Sequence, residues 1–290
     1  MLTYTTYSEA GGVGKTTLAA NLAVAHADNG HRVLIIDMDQ QDGSLSHLLG
    51  VDEHRHDPDA DTIVHHMIDR PRGDFDDLIK TSEGVDIIPS HDALESLGDW
   101  LDKAADFEEA AAGEDYEYPR FEQLRRVLAE NDVPNRYDVI IVDPPATAGP
   151  HLYNGIDATR SLVIPMELSG KGKQSIQGLE SVVDGLEESL DISVGVLAVI
   201  PNGTKRTTDQ EAYRKEVEGL GYEVPVILAD RTSLMEGCWT QQCSAFKYVE
   251  EHRERRRDYE SETLDQIRSL AAQLEAEANL VDQEEEVTAQ

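Results

Sequence analysis

The sequence predicts an α/β protein, a mostly parallel twisted sheet with helices on both faces. Three observations carry that expectation. Short apolar runs such as Val33 to Ile36 and Val139 to Val142 alternate with longer segments of helical period, the pattern of strands buried on both faces. A glycine-rich loop separates the first strand run from the first helical run. The chain of 290 residues is also long enough for one large domain with a full core.

In chain order, strands are expected at Leu2 to Tyr7, Arg32 to Asp37, Val85 to Pro89, Tyr137 to Asp143, Ser161 to Pro165, Ser193 to Pro201 and Val224 to Leu228. The clearest helices are Thr16 to Asn29, ended by Gly30 as a C-terminal cap, Phe121 to Asn131, Gly172 to Leu190 and Thr208 to Leu220. One α/β domain is placed at residues 1–257. Within it an acidic, alanine-rich stretch over about 98–118 reads as an extended helix or a surface insertion. In 258–280, Leu264, Ile267, Leu270, Ala271, Leu274 and Ala278 share one helical face that docks on the core or on a partner. Residues 281–290 are acidic and polar and are expected to be mobile.

Lys plus Arg number 25 against 58 Asp plus Glu, a net charge of -33. Such a surface repels nucleic acid and anionic membrane by default. Scarce lysine, few large aromatics and abundant Asp, Glu and Ala fit adaptation to molar salt, where the Debye length is only about 3 Å. The strand runs argue against disorder. Cys238 and Cys243 form neither a disulfide scaffold nor a C-x-x-C pair. No run is long enough for a membrane helix, and no charged n-region with an apolar h-region opens the chain, so a cytoplasmic protein is expected.

The loop carries the chemistry. Tyr4-Thr5-Thr6-Tyr7 runs into Ser8-Glu9-Ala10-Gly11-Gly12-Val13-Gly14-Lys15-Thr16-Thr17, and the apolar helical positions Leu18, Leu22 and Ala25 follow at once. A strand, a glycine-rich loop and a helix N-terminus present backbone N–H groups and the helix dipole to a polyphosphate. Lys15 is expected to reach the β and γ phosphates of ATP, and the Thr16 hydroxyl to hold Mg²⁺. The general pattern G-x-x-x-x-G-K-[ST] asks for glycine where this chain has Glu9. That mismatch points to a variant loop.

Gly11-Gly12-Val13-Gly14-Lys15-Thr16-Thr17 resembles the deviant Walker A loop of the ParA/MinD family of dimerising ATPases, K-G-G-x-G-K-[ST]. Val33-Leu34-Ile35-Ile36-Asp37-Met38-Asp39-Gln40-Gln41 is similar to the family's second strand with its D-x-D-x-Q segment, and Tyr137 to Pro145 to its Walker B strand. The resemblance implies a P-loop fold that binds ATP and Mg²⁺ and hydrolyses ATP slowly, as an ATP-dependent homodimer stimulated by a ParB-like or other partner. One departure stands out. The first lysine of the family loop, which reaches the partner's nucleotide, is replaced by Ala10. Lys171, Lys173, Lys205 and Arg231 are candidate substitutes.

Asp143 ends its strand at the carboxyl edge of the sheet, where α/β folds bind ligands, and is expected to hold Mg²⁺ through a water beside Thr16. The resemblance implies that Asp39, the third residue of the metal site, orients or activates the attacking water. Asp37 either joins it or caps the turn after its strand. Pro144 to Pro150 reads as a switch sensing the γ-phosphate or as a rigid loop. Asn202 follows its strand in Pro201-Asn202-Gly203; the resemblance implies adenine recognition, while Asn-Gly is also an ordinary turn. Arg231 lines the same pocket or caps a helix.

Weaker signals remain. His47, His54, His56, His65 and His66 lack zinc-type spacing. The run His252-Arg253-Glu254-Arg255-Arg256-Arg257 reads as a solvated helix face paired with Glu250, Glu251 and Glu260, or as a contact for DNA phosphates. The leading expectation is a ParA-like ATPase that partitions plasmid or chromosomal DNA, binding DNA non-specifically in one state. A MinD-like positioner of protein cargo is the second. The C-terminal helix is acidic and alanine-rich, against direct membrane binding. A weakly hydrolysing regulatory protein, suggested by Ala10, is the third. Cluster cysteines of an electron carrier are absent near Asp143, and no ligase substrate signature is visible.

Overall fold

The computed structural model describes residues 1–8, 11–113, 116–167, 181, 183–204, 215, 218–219 and 221–280. Among these residues, seven strands form one sheet in the order β3-β4-β2-β5-β1-β6-β7. They are β1 (Leu2–Thr6), β2 (Val33–Asp37), β3 (Lys80–Ser82), β4 (Val85–Ile88), β5 (Val139–Asp143), β6 (Ser161–Glu167) and β7 (Gly195–Asn202). All pairs are parallel except β3 with β4. The expected mostly parallel sheet is the one observed.

Side-chain alternation assigns the two faces. Val33 and Ile35 of β2, with Val139 and Ile141 of β5, enter one core cluster, and Leu34, Ile36, Ile140 and Val142 enter another, as a period of two requires. The first cluster is covered by helix α1 (Lys15–Asp28), buried from Leu18 to His26. On the opposite face lie α2 (Leu97–Ala112) and α3 (Gln123–Glu130). A third cluster packs α4 (Pro150–Thr159) against β6 and β7. Helix α5 (Thr232–Gln241) and helix α6 (Asp258–Glu277) complete the α1 side.

The acidic stretch expected at 98–118 is largely α2, and it is not merely a surface excursion. Leu97, Leu101 and Ala105 are buried in the second cluster, one turn or so apart on one face. The C-terminal helix docks on the core: Leu264, Ile267, Leu270, Ala271 and Leu274 are buried, and Ala278 packs beside them. Glu275 anchors it. Its carboxylate accepts from Asn29 Nδ2 at 3.0 Å and pairs with His26 Nδ1 at 2.5 Å, and His26 Nε2 lies 3.2 Å from Tyr4 Oη. Burial pushes the Glu275 carboxyl up, and the hydrogen bonds from His26 and Asn29 outweigh that and hold it below the usual range.

Two elements differ from expectation. β3 was not expected; its Lys-Thr-Ser sequence has no apolar signal, and it is created by a tight turn in which Glu83 and Gly84 both have positive φ, 51° and 76°. Val224 to Leu228 follows the edge of β7 without forming a regular strand. It contributes separate bonds, Val199 N to the Glu223 carbonyl at 2.9 Å and Leu228 N to the Pro201 carbonyl at 2.8 Å, and Pro225 has no N–H with which to continue a ladder. The expected helix Thr208 to Leu220 and most of Gly172 to Leu190 lie outside the described residues, while 183–190 is helical. The expected tail at 281–290 lies outside them too.

Candidate functional site

The carboxyl ends of β1, β2 and β5 meet at one edge. Asp37 and Asp143 are register partners there, so two carboxylates emerge side by side where the phosphate loop leaves β1. Both are fully buried. They have different tasks. Asp37 accepts from Ser44 Oγ (2.6 Å), Ser46 N (2.7 Å) and Ser46 Oγ (2.6 Å) through one oxygen and from Asp39 N (3.1 Å) through the other. This is the capping role, and the carboxylate holds the turn after β2. Burial, then the neighbouring Asp143 charge, push its pKa up to about 6.

Asp143 Oδ1 accepts from Thr6 Oγ1 and from Lys15 Nζ, each at 2.7 Å. Its other oxygen, Oδ2, is buried with no hydrogen-bond partner among the described residues. An orphaned buried carboxylate oxygen beside a threonine-bearing loop is a donor set suited to a hard cation or its water. Thr6 had escaped the sequence reading. Its position as the last residue of β1, next to Asp143 in register, is the signal that locates it.

The loop has the backbone of a phosphate cradle. Gly12 and Gly14 have φ of 79° and 83°, and Gly14 is the N-cap of α1. A side chain at Gly14 would be strained by that φ and would place its Cβ 2.5 Å from Asn202 Nδ2. Asn202 itself donates to the Val13 carbonyl at 2.8 Å, and its Oδ1 accepts from Gly203 N at 2.9 Å. The turn reading of Asn-Gly is thus present, with the amide fastened to the loop as well.

These groups line one cleft of about 880 Å³. Gly11 to Leu18 form its floor. Asp39 and Gln41 to Ser44 form one wall, Pro145 to Thr147 a second, and Asn202, Arg231, Met235 and Trp239 a third. The structure therefore brings together Gly11, Gly12, Val13, Gly14, Lys15, Thr16, Thr17, Asp39 and Asn202, with Asp143 beneath them. Arg231 lines the cleft and occupies the N-cap position of α5 without a side-chain capping bond; it donates from Nε to Thr263 Oγ1 at 3.1 Å and stacks 5.1 Å from the Tyr259 ring. Met235 and Trp239, an apolar wall, were not foreseen, because helical spacing alone does not tell a cleft from a core. Ala10, Lys171, Lys173 and Lys205 lie outside the described residues.

The remaining signals fall elsewhere. Cys238 and Cys243 are buried thiols whose pKa values burial pushes up to about 12 and about 11. The basic run is a loop from Arg253 to Arg257 rather than a helix face, since both of those residues have extended backbone. Of its expected pairs only Arg253 with Glu260 is present, at 2.6 Å. No helix among the described residues is long and apolar enough to cross a membrane.

A glycine cradle on a helix N-terminus, a lysine in it and a buried carboxylate on the adjacent strand define a nucleotide-binding protein of the P-loop class. A family described as an AAA domain matches residues 3–195. The chain is 30% identical over 201 residues to the maintenance of carboxysome distribution protein A of Synechococcus elongatus, covering 69% of this chain and 72% of that one. An uncharacterized Mycobacterium tuberculosis protein is 28% identical over 74% of this chain, which spans 62% of that relative's length. The cell division ATPase MinD of Pyrococcus furiosus superposes with a TM-score of 0.68 at 21% identity, over 95% of this chain and 98% of that one. The chain belongs to the ParA/MinD family of P-loop ATPases.

Proposed function

We propose that this protein binds ATP and Mg²⁺ in the cleft above Lys15 and hydrolyses ATP slowly, using the nucleotide to switch between a monomer and a homodimer in DNA partitioning. The observation that carries the reading is a single cleft lined by the glycine loop, Lys15 and Asp39, with the Asp143 carboxylate bonded to Lys15 at its base. Loop N–H groups and the Lys15 ammonium take the phosphate oxygens, Thr16 and the orphaned Asp143 Oδ2 face the metal, and Asp39 stands at the wall from which water approaches the γ-phosphate. Mg²⁺ supplies neutralisation of the phosphate charge. Phosphoryl transfer needs positioning and charge stabilisation above all, so turnover is set by how well Asp39 and the Pro144 to Pro150 segment are aligned. A ParB-like partner accelerates it by completing that alignment.

Non-specific DNA contact requires cations that are not already neutralised. Arg255 and Arg256 are exposed and have no carboxylate partner among the described residues, which supports a small phosphate-binding patch. The net charge of -33 favours a second reading, in which the switch positions a protein cargo and DNA is not held. The likeness to a carboxysome distribution protein supports that reading as well.

Both are tested by ATP-dependent dimerisation and DNA co-sedimentation in a KCl series reaching molar concentration, with Asp39→Ala alongside. An ATP-dependent dimer that retains DNA is the result expected for partitioning. A dimer without DNA moves the protein to cargo positioning, and ATP binding with neither leaves a regulatory nucleotide sensor.

A further inference from the structure

The loop that carries Asp39 leaves the sheet at Asp37 and does not re-enter regular structure until Leu45. A carboxylate that must orient water needs that loop fixed to a fraction of an ångström. Arg55, far from the motifs in sequence, is 4% exposed, an unusual state for an arginine. All three of its guanidinium nitrogens point at this loop. Nη2 donates to the Gln40 carbonyl at 2.5 Å, Nε to Asp42 Oδ1 at 3.0 Å, and Nη1 to Ser90 Oγ at 2.6 Å. Ser90 Oγ in turn donates to the Asp39 carbonyl at 2.5 Å, and Ser90 N donates to Ser46 Oγ at 2.8 Å. Asp92 Oδ1 lies 3.8 Å from Nε, and the Arg55 carbonyl accepts from Asp92 N at 3.1 Å. The staple is therefore tied to the segment just after β4.

We infer that Arg55, acting through Ser90, is a positioning residue for hydrolysis: it grips the peptide carbonyls of Asp39 and Gln40 from behind and so aims the Asp39 side chain at the cleft. The inference rests on the reading of Asp39 given above. The planar guanidinium is suited to the task because it serves three acceptors in fixed directions at once, which a lysine cannot. Its charge is balanced by Asp42 and Asp92 at the surface side of the loop. The arrangement meets the cleft only at its Asp42 and Ser44 wall and, among the described residues, makes no hydrogen bond to the phosphate cradle or Lys15, so alignment of the water is separable from binding of the nucleotide.

The experiment compares Arg55→Ala, Arg55→Lys and Ser90→Ala with Asp39→Ala and with the double variants in the Asp39→Ala background. ATP affinity, steady-state turnover and amide hydrogen exchange over residues 39–44 are measured. Expected are ATP Kd values within about threefold of wild type, kcat reduced tenfold or more in Arg55→Ala and less in Ser90→Ala, and faster exchange confined to 39–44. Arg55→Lys recovers part of the loss, and neither change lowers kcat further once Asp39 is alanine. Ser90→Ala leaves the guanidinium in place and decides the matter by itself if Arg55→Ala does not fold. Wild-type kcat and unchanged exchange in folded Arg55 and Ser90 variants, with Asp39→Ala inactive, would overturn the inference while sparing the site. Full turnover by Asp39→Ala would instead remove the reading of Asp39 and this inference with it.

Discussion

Lys15 Nζ lies 2.7 Å from Asp143 Oδ1, joining the phosphate loop to the end of β5 through a pair whose side chains are 10% and 0% exposed. The ammonium is thus held at the base of the cleft by a carboxylate, and a polyphosphate in the cradle competes with that carboxylate for it. Lys15→Ala is expected to remove ATP binding, and it also strands a buried charge that Thr6 alone cannot balance. Breaking a buried pair of this kind costs about 3–5 kcal/mol. Thermal melts with and without ATP are expected to show a lower midpoint for Lys15→Ala and no shift on adding nucleotide. The double variant Lys15→Ala, Asp143→Asn is expected to recover most of the stability and none of the binding, since an amide needs no counter-ion. Retained tight ATP binding by Lys15→Ala would sink the site assignment.

Asp39 lines the cleft, whereas its neighbour two residues earlier is fully buried beneath Ser44 and Ser46. Among the described residues Asp39 Oδ1 accepts only the local bond from Gln41 N, at 2.9 Å. Asp39→Ala is therefore expected to leave ATP affinity within a few-fold of wild type and to slow turnover by a factor on the order of 100, the scale of one lost general-base or orienting group. Single-turnover hydrolysis alongside equilibrium binding separates the two quantities. A comparable loss in both would place Asp39 in ground-state binding of the nucleotide instead.

How much of this was visible beforehand depends on where each signal resides. β2, β4, β5, β6 and β7 announce themselves by apolar runs, since strands buried on both faces are mostly apolar, whereas β1, Leu-Thr-Tyr-Thr-Thr, shows itself by β-branched and aromatic residues ahead of the glycine loop. β3 does not, because none of its Lys-Thr-Ser side chains is buried and the sequence has no apolar signal there. The phosphate loop, Asp39 and Asp143 are readable since their chemistry fixes residue type and local order. Asp37 was open between two roles, and only the hydroxyls of Ser44 and Ser46 decide it. Arg55 and Ser90 are invisible for a different reason: the bonds by which they hold Asp39 and Gln40 go to backbone carbonyls, which carry no residue identity, and the fold alone brings them within reach.

Asp37 also gives a pH signature. Its pKa is raised from 3.8 to about 6, by burial first and by Asp143 second. A carboxyl raised on folding binds protons more tightly in the native state, so its stabilising share is fully present below about pH 3.8 and is lost as pH rises through about 6. The shift corresponds to roughly 3 kcal/mol across that window. Other carboxylates, Asp61, Asp138 and Glu275 among them, are shifted downward and act in the opposite sense at acid pH. The clean comparison is denaturant unfolding of wild type and Asp37→Asn between pH 4 and 7. Relative to the variant, the wild type is expected to lose stability as pH rises through the window; parallel curves would show that Asp37 keeps an ordinary pKa.

The contact between Gly14 and Asn202 supplies a test in which backbone and side chain can be told apart. Gly14→Ala meets two obstacles: a φ of 83° that alanine adopts only at a cost of about 1–2 kcal/mol, and an Asn202 amide nitrogen 2.5 Å from the new Cβ. Asn202→Ala removes the second obstacle and leaves the first. If the phosphate cradle depends on the left-handed turn at Gly14, ATP affinity measured by calorimetry falls by a factor of 100 or more in Gly14→Ala and stays low in Gly14→Ala, Asn202→Ala. Recovery in the double variant would mean that the clash dominated and that the loop tolerates another backbone. Asn202→Ala alone frees the Val13 carbonyl from its 2.8 Å bond and is expected to weaken ATP binding by about threefold to tenfold, the worth of one hydrogen bond. Because that loss acts through the loop, GTP affinity should fall in the same proportion. A larger loss for ATP than for GTP would assign the amide to adenine.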